Sequence, residues 1–227
     1  MKDIDYQKVI SELGHTIRIS ISSIMNRAQF LKMEFPNPDF EGVFKLYAHE
    51  IYQEMIDLRR VVDFMLSYAN TDSSFEDFDI KTLIERLFRY TYQTQLAEEN
   101  IHVALDLQAT IELHYQKKFF EDIIGNLISN SIKILKATEN KTIKCSTQIM
   151  NDKFVILFSD NGPGVEESIK DKIFDIYIST TQEQGGAGVG LYIVKTRLTA
   201  LNGTIELVES EFTSHGATFK ITLPFKK

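Results

Sequence analysis

Asp160 closes the apolar run Phe154-Val155-Ile156-Leu157-Phe158 and is followed directly by Asn161-Gly162-Pro163-Gly164. A carboxylate at the end of a buried segment can accept a hydrogen bond from the amino group of a nucleobase, and glycines leave room for a flat ring. Further along, Gly186-Ala187-Gly188-Val189-Gly190-Leu191 opens into a helical pattern. Successive backbone N–H groups at a helix N-terminus, with no side chains in the way, favour a bound phosphate. Glycine-rich turns are common, so each stretch alone says little. Together they imply a nucleotide, with ATP the foremost candidate. The chain has no Gly-x-x-x-x-Gly-Lys-Ser/Thr loop, and Gly186-x-Gly188-x-Gly190 does not follow a strand as a dinucleotide fingerprint would.

A second set of residues lies on the helical segment 117–135. Asn126 and Asn130 are four apart, on one side of a face formed by Phe120, Ile123, Ile124, Leu127, Ile128 and Ile132. Asparagine is a poor helix former, so the pair asks for a reason. An amide oxygen is a hard neutral ligand, suited to Mg²⁺ held jointly with nucleotide phosphates. Lys133, one turn on, can meet phosphate charge. Asp122 falls four residues before Asn126 and is a candidate base. Exposed amides on a solvated face are the plain alternative, outweighed by the presence of Asp160 and the glycines.

These residues need two kinds of scaffold. Residues 4–70 carry a heptad rhythm: Ile10, Ile17, Ile24 and Leu31, with Gly14, Ile21 and Ala28 four behind. Pro36-Asn37-Pro38-Asp39 stops the helix, because proline lacks the N–H and restricts its predecessor. Phe44, Ile51, Leu58 and Met65 then repeat the pattern, offset by Ala48, Met55, Val62 and Ala69. Two long helices joined by a turn make an antiparallel hairpin whose apolar stripe a second copy would cover, giving a four-helix bundle in a homodimer through residues 4–70. Thr71-Asp72-Ser73-Ser74 reads as a linker.

From residue 75 the period changes. Strands are expected at 78–80, 101–107, 141–149, 154–159, 204–209 and 217–224, and helices at 81–96, 117–135 and 190–201. Asn151-Asp152 makes a tight turn between two of the strands. The fold class is α+β: a helical hairpin over 1–70, then an α/β sandwich over 75–227 with helices on one side of a mixed sheet.

Composition narrows the partners. Net charge is −7 and the pI about 5.3, so nucleic acid is not expected. Cys145 is the single cysteine, which excludes an internal disulfide and reads as a small buried strand residue. No segment has the roughly 18 uninterrupted apolar residues of a membrane span. The expected location is the cytoplasm, or the cytoplasmic part of a membrane-anchored parent.

Four stretches, in order, resemble the N, G1, F and G2 boxes of sensor histidine kinases, within the wider gyrase/Hsp90/histidine-kinase/MutL superfamily. They are Asp122–Lys133, Asp160-x-Gly162-x-Gly164, Ile173-Phe174-Asp175-Ile176-Tyr177 and Gly186-x-Gly188-x-Gly190-Leu191. The ending Gly216–Pro224 is similar to that domain's last strand. The resemblance implies that Asp160 bonds the adenine amino group, Asn126 holds Mg²⁺, and Asn130 and Lys133 touch phosphates. Thr218 would help on the base side, and 165–187 would be a mobile lid over ATP.

The hairpin resembles the family's dimerisation and phosphotransfer domain, with His15 at the phosphoacceptor position. Relative to Ile10 and Gly14, His15 falls about 100° further round, toward solvent. An exposed imidazole, with an ordinary pKa near ~6.5, is largely neutral at pH 7 and so has a lone pair to attack phosphorus. Arg18 fits the family motif, whereas Thr16, Ile19 and Ser20 replace its acid, its Thr or Asn, and its proline. Thr181 stands where many members have Lys or Arg. The implied activity is an ATP-dependent histidine autokinase passing phosphate to the receiver domain of a response regulator. Two alternatives stay open: an ATP-binding scaffold that signals by dimer rearrangement, and an ATPase or Ser/Thr-type kinase using Asp122 as base.

Overall fold

The computed structural model describes residues 6–34, a set of helical positions between 42 and 62, and residues 75–175, 178, 188–212 and 215–224. Two compact units are formed: Ile4–Asp72 with Asp175–Val189, and Ser73–Phe174 with Gly190–Lys227.

In the first unit, α1 (Tyr6–Glu34) runs unbroken through Ser20. Ile17, Ile24 and Leu31 are half-buried, as the heptads require, and so is Gly14; Ser20, Ser23 and Arg27 are sheltered with them, whereas Ile21 and Ala28 are exposed. Ile21, Met25 and Ala28 form a second apolar stripe, and it is exposed. The second helical segment behaves alike: Ile51 and Leu58 are half-buried while Phe44, Met55 and Val62 are exposed. Phe30 and Tyr47 meet across the pair with ring centroids 5.1 Å apart. One helix can cover only one flank of its neighbour, which leaves the other flank of each bare.

The second unit is a five-stranded mixed sheet of order β2-β4-β5-β7-β6. It comprises β2 (His102–Leu107), β4 (Thr142–Met150), β5 (Lys153–Asp160), β6 (Thr204–Val208) and β7 (Ala217–Pro224). Only β2 and β4 are parallel, because the long helix α4 (Lys117–Ile134) makes the crossover between them. Asn151 and Asp152, with φ of 50° and 56°, close the β4–β5 hairpin; Asx residues tolerate this left-handed pair best after glycine. Along β5 and β7, Phe154, Ile156, Phe158, Phe219, Ile221 and Leu223 alternate onto the helix side and pack with Phe120, Ile123, Ile124, Leu127 and Ile128 of α4.

Three local expectations change. The strand β1 covers Glu76–Asp79, and Ile80 already begins the helix α2 (Ile80–Arg86), since Asp79 caps it by accepting from the Thr82 N–H at 2.7 Å. The single helix expected over 81–96 is broken. A wide turn, Leu87–Thr91, ends with the Tyr92 N–H on the Leu87 carbonyl, and α3 (Gln93–Glu98) follows. A short strand absent from the sequence reading, β3 (Glu112–Tyr115), pairs antiparallel with β1.

Candidate nucleotide site

Helix α4 faces two ways. Its inner row fills the core, and Asp122, Asn126 and Asn130 form a row on its flank, one turn apart. Asn126 Nδ2 donates to the Asp122 carbonyl at 2.7 Å, which turns the amide so that its Oδ1 lies toward Gly190. The helix α5 (Gly190–Ala200) begins against this row. A Cβ on Gly190 would lie 3.2 Å from Asn130 Oδ1 and 3.3 Å from Asn126 Oδ1, closer than the amides could accept without moving. Glycine here serves close approach: the helix N-terminus and two amide oxygens share one spot.

Asp160 is the last residue of β5, registered between Ile143 and Ala217, and is 1% exposed. Its Oδ2 accepts from Ser131 Oγ at 2.9 Å and its Oδ1 from the Gly162 N–H at 3.1 Å. Burial raises its pKa above the ordinary carboxylate value, and the bonds from Ser131, Gly162 and Ala217 oppose that rise. Gly162 is buried, and Gly164 turns at φ 82° against the Gly216 carbonyl, a conformation that side chains rarely adopt. The strand thus delivers a buried acceptor at the edge of the core, tied to the asparagine helix through Ser131.

Two of the expected site residues have surroundings that the sequence did not show. Asp122 is not a free base: Oδ2 is paired with Arg197 Nη2 at 3.1 Å and Oδ1 with Lys118 Nζ at 3.1 Å. Thr218 does not stand on the base side. Strand alternation sends it to the opposite sheet face from Asp160, where it donates to Ser159 Oγ at 3.0 Å and accepts from the Glu211 N–H at 3.1 Å. The residue that shares Asp160's place on β7 is Ala217.

Leu191 is half-buried against the core and Lys133 is half-buried on α4. Gly188 has φ 64°. Gly186, Thr181 and the side chain of His15 lie outside the described residues, although His15 is within the helical span of α1. Ile173 is buried and Phe174 packs edge-on against Phe219 at 6.3 Å. Cys145 is buried in β4, and burial pushes its thiol up to about 12.

Sequence reasoning missed Ser131 and Arg197. Ser131 follows Asn130 directly, and a small hydroxyl at a core position was the available signal. Arg197 carried none, because its partner is remote in sequence. Among the described residues no three His, Cys, Asp or Glu side chains gather to hold a metal. The hard amide oxygen of Asn126 is of a kind that suits a cation shared with phosphate oxygens.

Residues 115–227 match the family described as histidine kinase-, DNA gyrase B-, and HSP90-like ATPase. The chain is 25% identical over 233 residues to the autoinducer 2 sensor kinase/phosphatase LuxQ of Vibrio parahaemolyticus, covering 96% of this chain and 26% of that protein. It is 32% identical over 170 residues to the signal transduction histidine-protein kinase ArlS of Staphylococcus epidermidis, covering 73% of this chain and 34% of the relative. The chain thus spans about a quarter to a third of these relatives. The fold is that of Acinetobacter baumannii histidine kinase AdeS, with a TM-score of 0.66 at 21% identity over 94% of this chain and 98% of that one. It is also that of histidine kinase ThkA in its complex with response regulator protein TrrA, with a TM-score of 0.69 at 21% identity over 96% and 61%. Residues 115–227 thus belong to the histidine kinase-, DNA gyrase B- and HSP90-like ATPase family, and with the paired helices before them the chain resembles a sensor histidine kinase catalytic core.

Proposed function

We propose that the chain is an ATP-dependent protein histidine autokinase: residues 75–227 bind ATP, and His15 in the helical domain 1–70 takes its γ-phosphoryl group. The observation that supports this most directly is the meeting of Asn126, Asn130 and the N-terminus of α5 at Gly190, on the same helix whose Ser131 holds the buried Asp160. In this reading Asp160 accepts from the adenine amino group, while Gly162 and Gly164 shape the slot for the ring. Asn130, Lys133, Gly186, Gly188, Gly190 and Leu191 hold the phosphates. Asn126 would hold Mg²⁺ through Oδ1, and the ion's contribution when bound is to offset phosphate charge. The chain's own part in catalysis is positioning and electrostatics, as phosphoryl transfer generally demands.

The phosphoryl group would then pass to an aspartate on a response-regulator receiver domain. ThkA, of like fold, is known in complex with a response regulator. The exposed apolar residues Ile21, Met25, Ala28, Met55 and Val62 support a homodimer through residues 4–70. No helix of the described residues is long and apolar enough to cross a membrane. The expected location is the cytoplasm, or the cytoplasmic side of a membrane-anchored parent.

The test is incorporation of ³²P from γ-labelled ATP. Acid-labile label in the wild type, lost in His15→Ala, supports the reading. Nucleotide binding without any label on the protein, in the intact dimer, would replace it with a scaffold role.

A further inference from the structure

Helices α4 and α5 pack along one seam, and a polar contact marks each end of it. At one end Gly190 lies against Asn126 and Asn130. At the other, Arg197 meets Asp122, and its guanidinium carbon sits 3.6 Å from the centre of the Phe119 ring. Gly190 and Arg197 are seven residues apart, two turns of one helix face and about 10 Å of rise. Asp122, Asn126 and Asn130 are spaced by four, on one face of the other helix. Advancing along α5 from 190 to 197 therefore retreats along α4 from 130 and 126 toward 122 and 119, so the two helices run antiparallel in a fixed register.

Arg197 is fully buried. A buried guanidinium is costly to desolvate and is tolerated only with good geometry to a carboxylate and an aromatic face. Its partner has little freedom: Lys118 holds the other oxygen of Asp122, and the Asp122 carbonyl fixes the amide of Asn126. Buried apolar residues of α5 such as Ile193, Val194 and Leu198 add cohesion without choosing a register, because hydrophobic contact is non-directional. The ion pair is directional.

We infer that Asp122 and Arg197 are positioning residues: their pair sets the register of α4 against α5 and so the closeness of Gly190 to the amides of Asn126 and Asn130. This rests on the reading of those residues as a nucleotide site. It gives Asp122 the role of a strut in place of the proton acceptor considered from sequence.

The test uses the full chain and a fluorescent methylanthraniloyl-ATP with Mg²⁺, together with KM and kcat for autophosphorylation. Arg197→Met and Asp122→Asn should each weaken binding at least tenfold and raise KM for ATP by a similar factor, with kcat at saturation changed less than threefold. Asp122→Glu should recover part of the affinity. Either single variant leaves a buried partner behind and can fail to fold. The double variant Asp122→Leu/Arg197→Met removes both charges and should melt near the wild type, yet keep the raised KM. A double variant with wild-type KM would show that the pair is merely cohesive, and a loss of kcat at unchanged KM in Asp122→Asn would restore the base. Both results overturn the inference. A wild-type chain that does not bind the probe overturns the nucleotide reading itself, and the inference falls with it.

Discussion

Ser131 Oγ donates to Asp160 Oδ2 at 2.9 Å, so the carboxylate that ends β5 is held by the helix that carries Asn126 and Asn130. A fully buried hydroxyl meets a nearly fully buried acid, and each supplies what the other lacks. In the proposed reading, the base-binding and phosphate-binding residues are thereby linked through one hydrogen bond.

That arrangement stabilises a charge where the protein would sooner have none. Burial raises the pKa of Asp160, so the folded chain binds this proton more readily than the unfolded chain does. The ionised group costs stability that appears as pH rises from the unfolded value through the raised folded one, and the cost persists above it. Asp160→Asn is expected to keep or raise the melting temperature at pH 7.5, by roughly the relief of that desolvation. ATP affinity should fall about 10- to 100-fold, the range of a lost charge-assisted hydrogen bond. Thermal melts and titration calorimetry on the same preparation check both halves.

Gly190→Ala should separate folding from binding in a different way. Gly190 opens its helix without a positive φ, so alanine there should cost the fold little. The new methyl would crowd both amide oxygens at 3.2 and 3.3 Å, pushing them off their ligand. An affinity loss of about tenfold or more with an unchanged melting temperature is the expected pair of results. Unchanged affinity would mean that the amides can move aside freely.

Cys145 serves as a built-in reporter. Its thiol, pushed up to about 12 by burial, is un-ionised at pH 8 and shielded by the core. A thiol reagent should leave it untouched in native buffer and label it completely in denaturant. Its labelling rate through a urea series should track unfolding of the C-terminal unit.

Asp79 carries the pH dependence at the acid end. Although burial works to raise its pKa, the bonds from Thr110 and Thr82 prevail and lower it. Its contribution is therefore complete above the ordinary carboxylate value and disappears as pH falls through the lowered one. Asp79→Ala should cost about 1 kcal/mol at pH 7, a usual figure for a lost helix cap, and flatten the stability curve below about pH 4. Chemical denaturation at pH 7 and pH 3 measures the difference.

Much of the sheet was legible because its signals are local. The alternation of β5 and β7 and the apolar row of α4 fixed which faces turn inward, and Ala217–Pro224 agrees with the expected span residue for residue. The same alternation already excluded Thr218 from Asp160's side, since Phe219, Ile221 and Leu223 take the core face and place Ala217, not Thr218, with them. The broken helix at 87–91 was hidden because Leu87, Phe88 and Leu96 keep an apolar pattern on either side of the wide turn. Arg197 was hidden for another reason. A cation in a helix reads as surface until its carboxylate and ring, 75 and 78 residues earlier, are brought beside it.

Helix α4 packs Phe120, Ile123, Ile124, Leu127 and Ile128 into the core while its flank carries the amides of Asn126 and Asn130. No joint separates the two faces. Backbone amide exchange at residues 123–131 should therefore proceed only by global opening, with protection matching the whole unit's free energy, and ligand should add to that protection uniformly rather than locally. Any signal that tunes this protein has to act on parts that move at lower cost, because the amides themselves ride on the last element to melt.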